Sequence, residues 1–146
     1  MSISKYNAEG YYSPTEYEGL TNVMREEKAK RFRPLVYICS PYAGDIKTNT
    51  AKAKEYCLFA VHSHAIPLAP HLLYPQFMDE TSEADRNLGL FFGIVLLDRC
   101  RELWVFGDTV SAGMKAEINR AKRKNQPIRY FTENCEEVKA NENSSR

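Results

Sequence analysis

Residues 35–45 read Leu35-Val36-Tyr37-Ile38-Cys39-Ser40-Pro41-Tyr42-Ala43-Gly44-Asp45. The first five are apolar throughout and do not alternate with polar residues, which is the pattern of a strand covered on both faces. The strand gives way to a turn-rich loop from Ser40 to Asp45. A helix is then expected from about Asn49 to His64, because Ala53, Cys57, Ala60 and Val61 fall on one stripe. The same sequence of events recurs further along. Leu103-Trp104-Val105-Phe106 reads as a second fully covered strand, residues 107–110 as its loop, and Ser111 as the cap of a helix running to about Lys124.

Working outward, Ile66 to Ala69 reads as a short strand broken by Pro70, and Pro127-Ile128-Arg129-Tyr130 as a last strand. Thr81 or Ser82 opens a helix that is apolar nearly all round between Leu88 and Leu97, so a central, enclosed position is expected for it. Ser13-Pro14-Thr15-Glu16 carries helix-start chemistry, with Ser13 as cap, Pro14 at the first helical position and Glu16 reaching back. That helix should stop before Pro34. Residues 1–12 read as a flexible arm, 13–133 as the domain and 134–146 as a frayed tail.

Alternation of covered strands with helices predicts a single-domain α/β protein: a Rossmann- or flavodoxin-like three-layer fold on a parallel sheet of four or five strands. Ligands of such sheets bind beyond the carboxyl ends of the strands. That rule selects the loops 40–49 and 107–114, both of which lead into helix starts whose free N–H groups favour phosphate or sugar oxygens.

Composition narrows the function. The chain has 146 residues, 43% hydrophobic and 27% charged, with a formal net charge of +1. No basic surplus marks a nucleic-acid or anionic-membrane surface, and the basic residues from Arg25 to Arg33 are offset by Glu26 and Glu27. The apolar run Leu88 to Leu97 is too short to span a bilayer. Cys39, Cys57, Cys100 and Cys135 form no C-x-x-C pair and have no histidine at zinc-ligand spacing, so no metal and no cofactor is expected. With no apolar run near Met1 either, a cytoplasmic protein is expected.

Glu117 is the leading chemical candidate. It lies two turns into the helix that begins at Ser111, at the rim of a stripe formed by Met114, Ile118 and Ala121, with Gly113 one turn earlier leaving room for a ligand. The alternative is a surface glutamate paired with Arg120.

Two stretches carry a family resemblance. Val36-Tyr37-Ile38-Cys39-Ser40-Pro41-Tyr42 resembles the first strand and base-binding loop of nucleoside 2-deoxyribosyltransferases and related nucleotide hydrolases. Leu103 to Asp108, followed by Ser111-Ala112-Gly113-Met114-Lys115-Ala116-Glu117, resembles their second signature, whose glutamate is the nucleophile. The resemblance spans about Leu35 to Tyr130. It implies glycosyl transfer or hydrolysis at C1′ of a nucleoside or nucleotide, with a carboxylate stabilising an oxocarbenium-like transition state and trapping the sugar. It places Tyr37 near the sugar and nucleophile, Tyr42 against the base, and Ser40, Pro41, Gly113 and Met114 in the pocket. Serine at 111 is similar to the monophosphate hydrolases, where it helps hold the phosphate, whereas transferases that act on free nucleosides are acidic there. The plainer reading of Ser111 is an N-cap, and the two are compatible.

The chain departs from the family's pattern where an aspartate usually aids protonation of the leaving base. Gly93 or Ile94 stands there, and Asp98, one turn later on the same face, is the substitute. Catalytic duty requires Asp98 to have a raised pKa; the alternative is a salt bridge to Arg99 or Arg101. His71, Tyr74 and Arg86 are candidates for the pocket's lid or far wall, or for loop packing and surface pairing. Asp108 is a ribose-binding acid or a turn former.

Three functions follow. One is an enzyme that cleaves or transfers the N-glycosidic bond of a (deoxy)nucleoside 5′-monophosphate. Another is a nucleotide-binding or sensor module that keeps the pocket without the acid, with cleavage of a larger nucleotide such as NAD as a third. The expected partners are a small nucleoside or nucleotide and further copies of the chain, since relatives often complete the pocket with a neighbouring subunit; no nucleic-acid polymer and no membrane is expected.

Overall fold

A computed structural model describes residues 19–25 and 32–139. Residues 19–25 are helical (α1), within the stretch expected to form the first helix; its proposed capping box at Ser13 lies outside the described residues. The compact unit that carries the sheet begins at Pro34.

That unit is an α/β domain. Its elements are β1 (Leu35–Cys39), α2 (Ile46–His62), β2 (Ile66–Leu68), two 3₁₀ turns (Pro70–Leu72 and Tyr74–Gln76), α3 (Glu83–Asp98), β3 (Glu102–Phe106), α4 (Ala112–Arg123), β4 (Ile128–Phe131) and β5 (Glu137–Val138). They build one sheet in the order β2-β1-β3-β4-β5. The first four strands are parallel, and β5 is antiparallel to β4. From β1 the chain crosses to β2 on one side, and from β3 it crosses to β4 on the other. The order therefore reverses between β1 and β3, where such sheets hold their ligands.

Strand alternation divides the core in two. Tyr37 and Cys39 of β1 pack with Leu103 and Val105 of β3 against Leu97 of α3 and Met114, Ile118 and Ala121 of α4. Val36, Ile38, Trp104 and Phe106 pack on the opposite face with Tyr56 and Ala60 of α2. Burial on both faces is why these strands read as unbroken apolar runs.

Three elements differ from the sequence expectation. Helix α2 starts at Ile46, ahead of Asn49, because Asp45 caps it: its carboxylate accepts from Thr48 N (3.1 Å) and Thr48 Oγ1 (2.8 Å). The supposed frayed tail contains β5. Thr132 Oγ1 accepts from the backbone N–H of Asn134 and Glu136, Cys135 takes a left-handed φ of 64°, and Arg129 grips Glu137 at 2.8 and 2.7 Å. A left-handed turn without glycine gives no composition signal.

Helix α3 is not enclosed, and this is the third difference. Only Gly93 and Leu97 of α3 are buried, and Leu88, Leu90, Phe91 and Val95 are exposed. It lies in an outer layer beside α4, and within the unit that begins at Pro34 no further layer covers its outward stripe. Among the described residues no helix is long and apolar enough to cross a membrane.

Candidate functional site

Helix α4 is held in place by its own start. Ser111 Oγ accepts from Met114 N at 3.2 Å, as the cap reading expected, and the stripe Met114, Ile118, Ala121 is buried against the sheet. Glu117 follows Met114 by three residues, so it turns inward with the stripe and is only 7% exposed. The rim position and the surface pairing with Arg120 both give way to burial.

The partner of Glu117 comes from β1. The Tyr37 hydroxyl donates a hydrogen bond to Glu117 Oε2. Among the described residues no cation forms a salt bridge with this carboxylate. Burial pushes the Glu117 pKa up to about 7, against hydrogen bonds from Tyr37 and the Cys39 thiol that pull it down. Burial, and then the carboxylate beside it, drive Tyr37 far above the ordinary phenol range. Burial likewise holds the Cys39 thiol protonated.

The third wall is α3, and its contact depends on one glycine. A Cβ at Gly93 would sit 2.9 Å from the Tyr37 hydroxyl and 3.7 Å from Glu117 Oε2. Any side chain here would have to displace the Tyr37 hydroxyl or the helix for α3 to close this tightly over the pair. The sequence marks Gly93 only as the place of a missing aspartate; its role as a lid on Tyr37 and Glu117 depends on a contact between distant elements.

Asp98 has a different environment from the one catalysis would need. Its carboxylate takes Arg120 Nε at 2.9 Å and Arg120 Nη2 at 2.7 Å in a two-point grip, with Lys124 Nζ at 3.5 Å. The Arg120 hydrogen bonds hold its pKa below the ordinary carboxylate range, where a raised value was expected. An ionised, salt-bridged Asp98 has no proton to give at neutral pH. The partner is Arg120, 22 residues away on α4, and not the adjacent Arg99 or Arg101. Asp98 ties the end of α3 to α4.

The remaining candidates separate. Ser40 is buried directly after β1, and its Oγ has no hydrogen-bond partner among the described residues. Tyr42 stacks on His71 with centroids 5.0 Å apart and planes at 19°, so these two do meet at the loop after β1. Burial lowers the His71 pKa and favours the neutral ring. Asn49 Nδ2 donates to the carbonyls of Tyr42 and Ala43 at 3.1 Å each, which fixes that loop. Gly113 is open enough that an added Cβ would meet only ordinary contacts. Met114 belongs to the core and not to a pocket wall, at 2% exposure. Arg86 is exposed on the first turn of α3.

Two cavities open near the strand ends. One of about 290 Å³ is lined by Pro41, Asn49, Lys52, Tyr56, Asp108 and Glu133, among others, with Lys52 and Glu133 paired across it at 3.0 Å. The other, of about 580 Å³, lies between α4 and the β4–β5 hairpin, and Asp108 lines it too. Neither is lined by Tyr37 or Glu117. These two cavities and the buried pair are separate, and Glu117, buried with a displaced pKa, is the better mark of chemistry. Among the described residues no three His, Cys, Asp or Glu side chains gather as metal ligands.

The profile of DUF7768, a domain of unknown function, matches residues 34–131. That is more than half of the chain, and the chain belongs to this family. No curated protein matches it.

Proposed function

We propose that this member of the DUF7768 family acts on the N-glycosidic bond of a (deoxy)nucleoside 5′-monophosphate, with Glu117 as nucleophile and Tyr37 as the residue that holds it. The observation that carries the reading is the buried Tyr37–Glu117 pair. A carboxylate enclosed without a cation costs stability and contributes little to packing, and such groups concentrate where chemistry is done. The resemblance of the two strand-loop segments to nucleoside 2-deoxyribosyltransferases supplies the substrate class.

In the forward step a Glu117 carboxylate oxygen forms an ester bond to C1′ while the C1′–N bond breaks. The electron pair stays on the departing base, which takes its proton from water. Water or a second base then attacks C1′ and returns the Glu117 carboxylate. Tyr37 donates to the carboxylate and orients it. The N-terminus of α4, capped by Ser111, offers N–H groups suited to a 5′-phosphate. Since only ionised Glu117 is a nucleophile, the rate should climb with pH up to about 7 and then level off.

The Asp98 salt bridge supports a second reading. With that carboxylate committed to Arg120 and Lys124, a module that binds nucleotides without turning them over is favoured by the want of a second acid. One experiment separates the two: the protein is incubated with a panel of nucleosides and monophosphates, with and without a free base, and the products are separated. Release or exchange of base, with a sugar adduct on Glu117 by mass spectrometry, supports the enzyme; ligand-induced thermal stabilisation with no product supports the module.

The apolar stripe Leu88, Phe91 and Val95 further supports a homo-oligomer through α3. Light scattering should give a mass above one chain for the native protein and close to one chain for Phe91→Ser.

A further inference from the structure

The 580 Å³ cavity lies on the side of α4 away from α3 and has a chemistry of its own. It exists because β4 and β5 extend the sheet past α4, and no helix of the unit that begins at Pro34 covers that part of the α3–α4 face. Its apolar lining includes Val105, Ile118, Tyr130 and Val138. Along one wall α4 presents Lys115 and Lys122, seven residues and so about 10 Å apart on one helix face, with Asn119 between them. Among the described residues neither lysine forms a salt bridge. The one acid in the lining is Asp108, in the loop after β3. The volume falls in the usual range of small-molecule sites, and an apolar floor with a few polar groups at the rim is their usual make-up.

We propose that this groove is a second binding site, distinct from Glu117, for a soluble organic anion with a flat apolar body: the body lies on Ile118, Tyr130 and Val138, and the acidic group meets Lys115 or Lys122. Two unpaired ammonium groups over an apolar floor set the sign of the ligand's charge. The groove's length along α4 sets its elongated shape.

Two fluorescent probes of nearly the same shape test this. One is 8-anilinonaphthalene-1-sulfonate, and the other is its uncharged parent, N-phenyl-1-naphthylamine. The native chain should bind the sulfonate saturably at one site, with amide shift changes confined to 105–110, 115–122 and 130–138. The double variant Lys115→Glu/Lys122→Glu should lose about tenfold or more in sulfonate affinity, the loss of a charge-assisted contact, and less than twofold for the neutral parent. Asn119→Trp, which fills the groove from an exposed helix position, should weaken both probes, with circular dichroism confirming that each variant folds. Absence of saturable binding, equal losses for the two probes, or shifts centred on Leu88, Phe91 and Val95 would overturn the proposal. Binding by Glu117→Gln should match the native chain, so the outcome is independent of the glycosyl reading.

Discussion

Two carboxylates between α3 and α4 are treated in opposite ways. Glu117 is buried and held by a tyrosine, and its pKa rises to about 7. Asp98 sits near the surface between Arg120 and Lys124, and its pKa falls. Environments that push two acids apart are how one scaffold separates a reactive group from a structural one. On the proposed reading the chemistry belongs to Glu117, which no cation among the described residues pairs, while Asp98, held by Arg120 and Lys124, fastens α3 to α4.

The largest effect should come from Glu117 itself. Glu117→Gln keeps the shape and an acceptor for Tyr37 but removes the proposed nucleophile. A fall in turnover on the order of 10⁴-fold or more is expected, measured as base released from whichever monophosphate the native protein cleaves. Unchanged turnover would sink the mechanism.

The same variant sharpens the contrast without any substrate. A Glu117 pKa raised from 4.5 to about 7 means that the folded chain holds a proton the unfolded chain has lost. Native stability should therefore fall as pH rises from about 4.5 to about 7 and then stay level. Glu117→Gln lacks this loss. Chemical denaturation at pH 8 should find it more stable than the native chain by up to about 3 kcal/mol, with the gain gone below pH 4.5. A pH-independent difference would mean that burial does not strain this carboxylate.

Gly93→Ala tests the lid on the pair. An alanine normally favours a helix interior by about 1 kcal/mol. Here its Cβ would lie 2.9 Å from the Tyr37 hydroxyl, and Tyr37 is anchored in β1. A net destabilisation of about 1–2 kcal/mol is expected, as for other overpacked sites, together with a shift in the pH range over which Glu117 titrates. Stabilisation by the alanine would show that the approach is looser.

The fold was far more legible in the sequence than the site. β1 and β3 are buried on both faces, so their apolar runs had one reading, and the cap and stripe of α4 lie within eleven residues. What escaped depended on distance along the chain. An apolar helix reveals its hydrophobicity but not which faces its neighbours cover, so α3 read as enclosed. Asp98 meets Arg120 across 22 positions, which local spacing does not give; Tyr37 meets Glu117 across 80, and only the family resemblance put those two near each other. In the sequence Gly93 stands out for the side chain it lacks, while its effect comes from the tyrosine beneath it.

The smallest effect should belong to Asp98, and its pH dependence should run the other way. Asp98→Asn removes the charge that Arg120 and Lys124 hold but leaves an amide that accepts one hydrogen bond. The pair is partly exposed, so the cost is modest, a fall in Tm of about 2–5 °C at pH 7. Because its folded pKa lies below the ordinary 3.8, the stability Asp98 contributes is complete above that value and disappears as pH falls through the folded pKa. The penalty of Asp98→Asn should therefore vanish in strong acid, whereas the gain from Glu117→Gln vanishes below 4.5 and is full above 7. Turnover, where the native protein shows it, should change by less than about twofold, since a salt-bridged carboxylate has no proton to donate. A loss of 10²-fold or more with an unchanged melting curve would instead put Asp98 in the chemistry as a general acid and require the salt bridge to open when substrate binds.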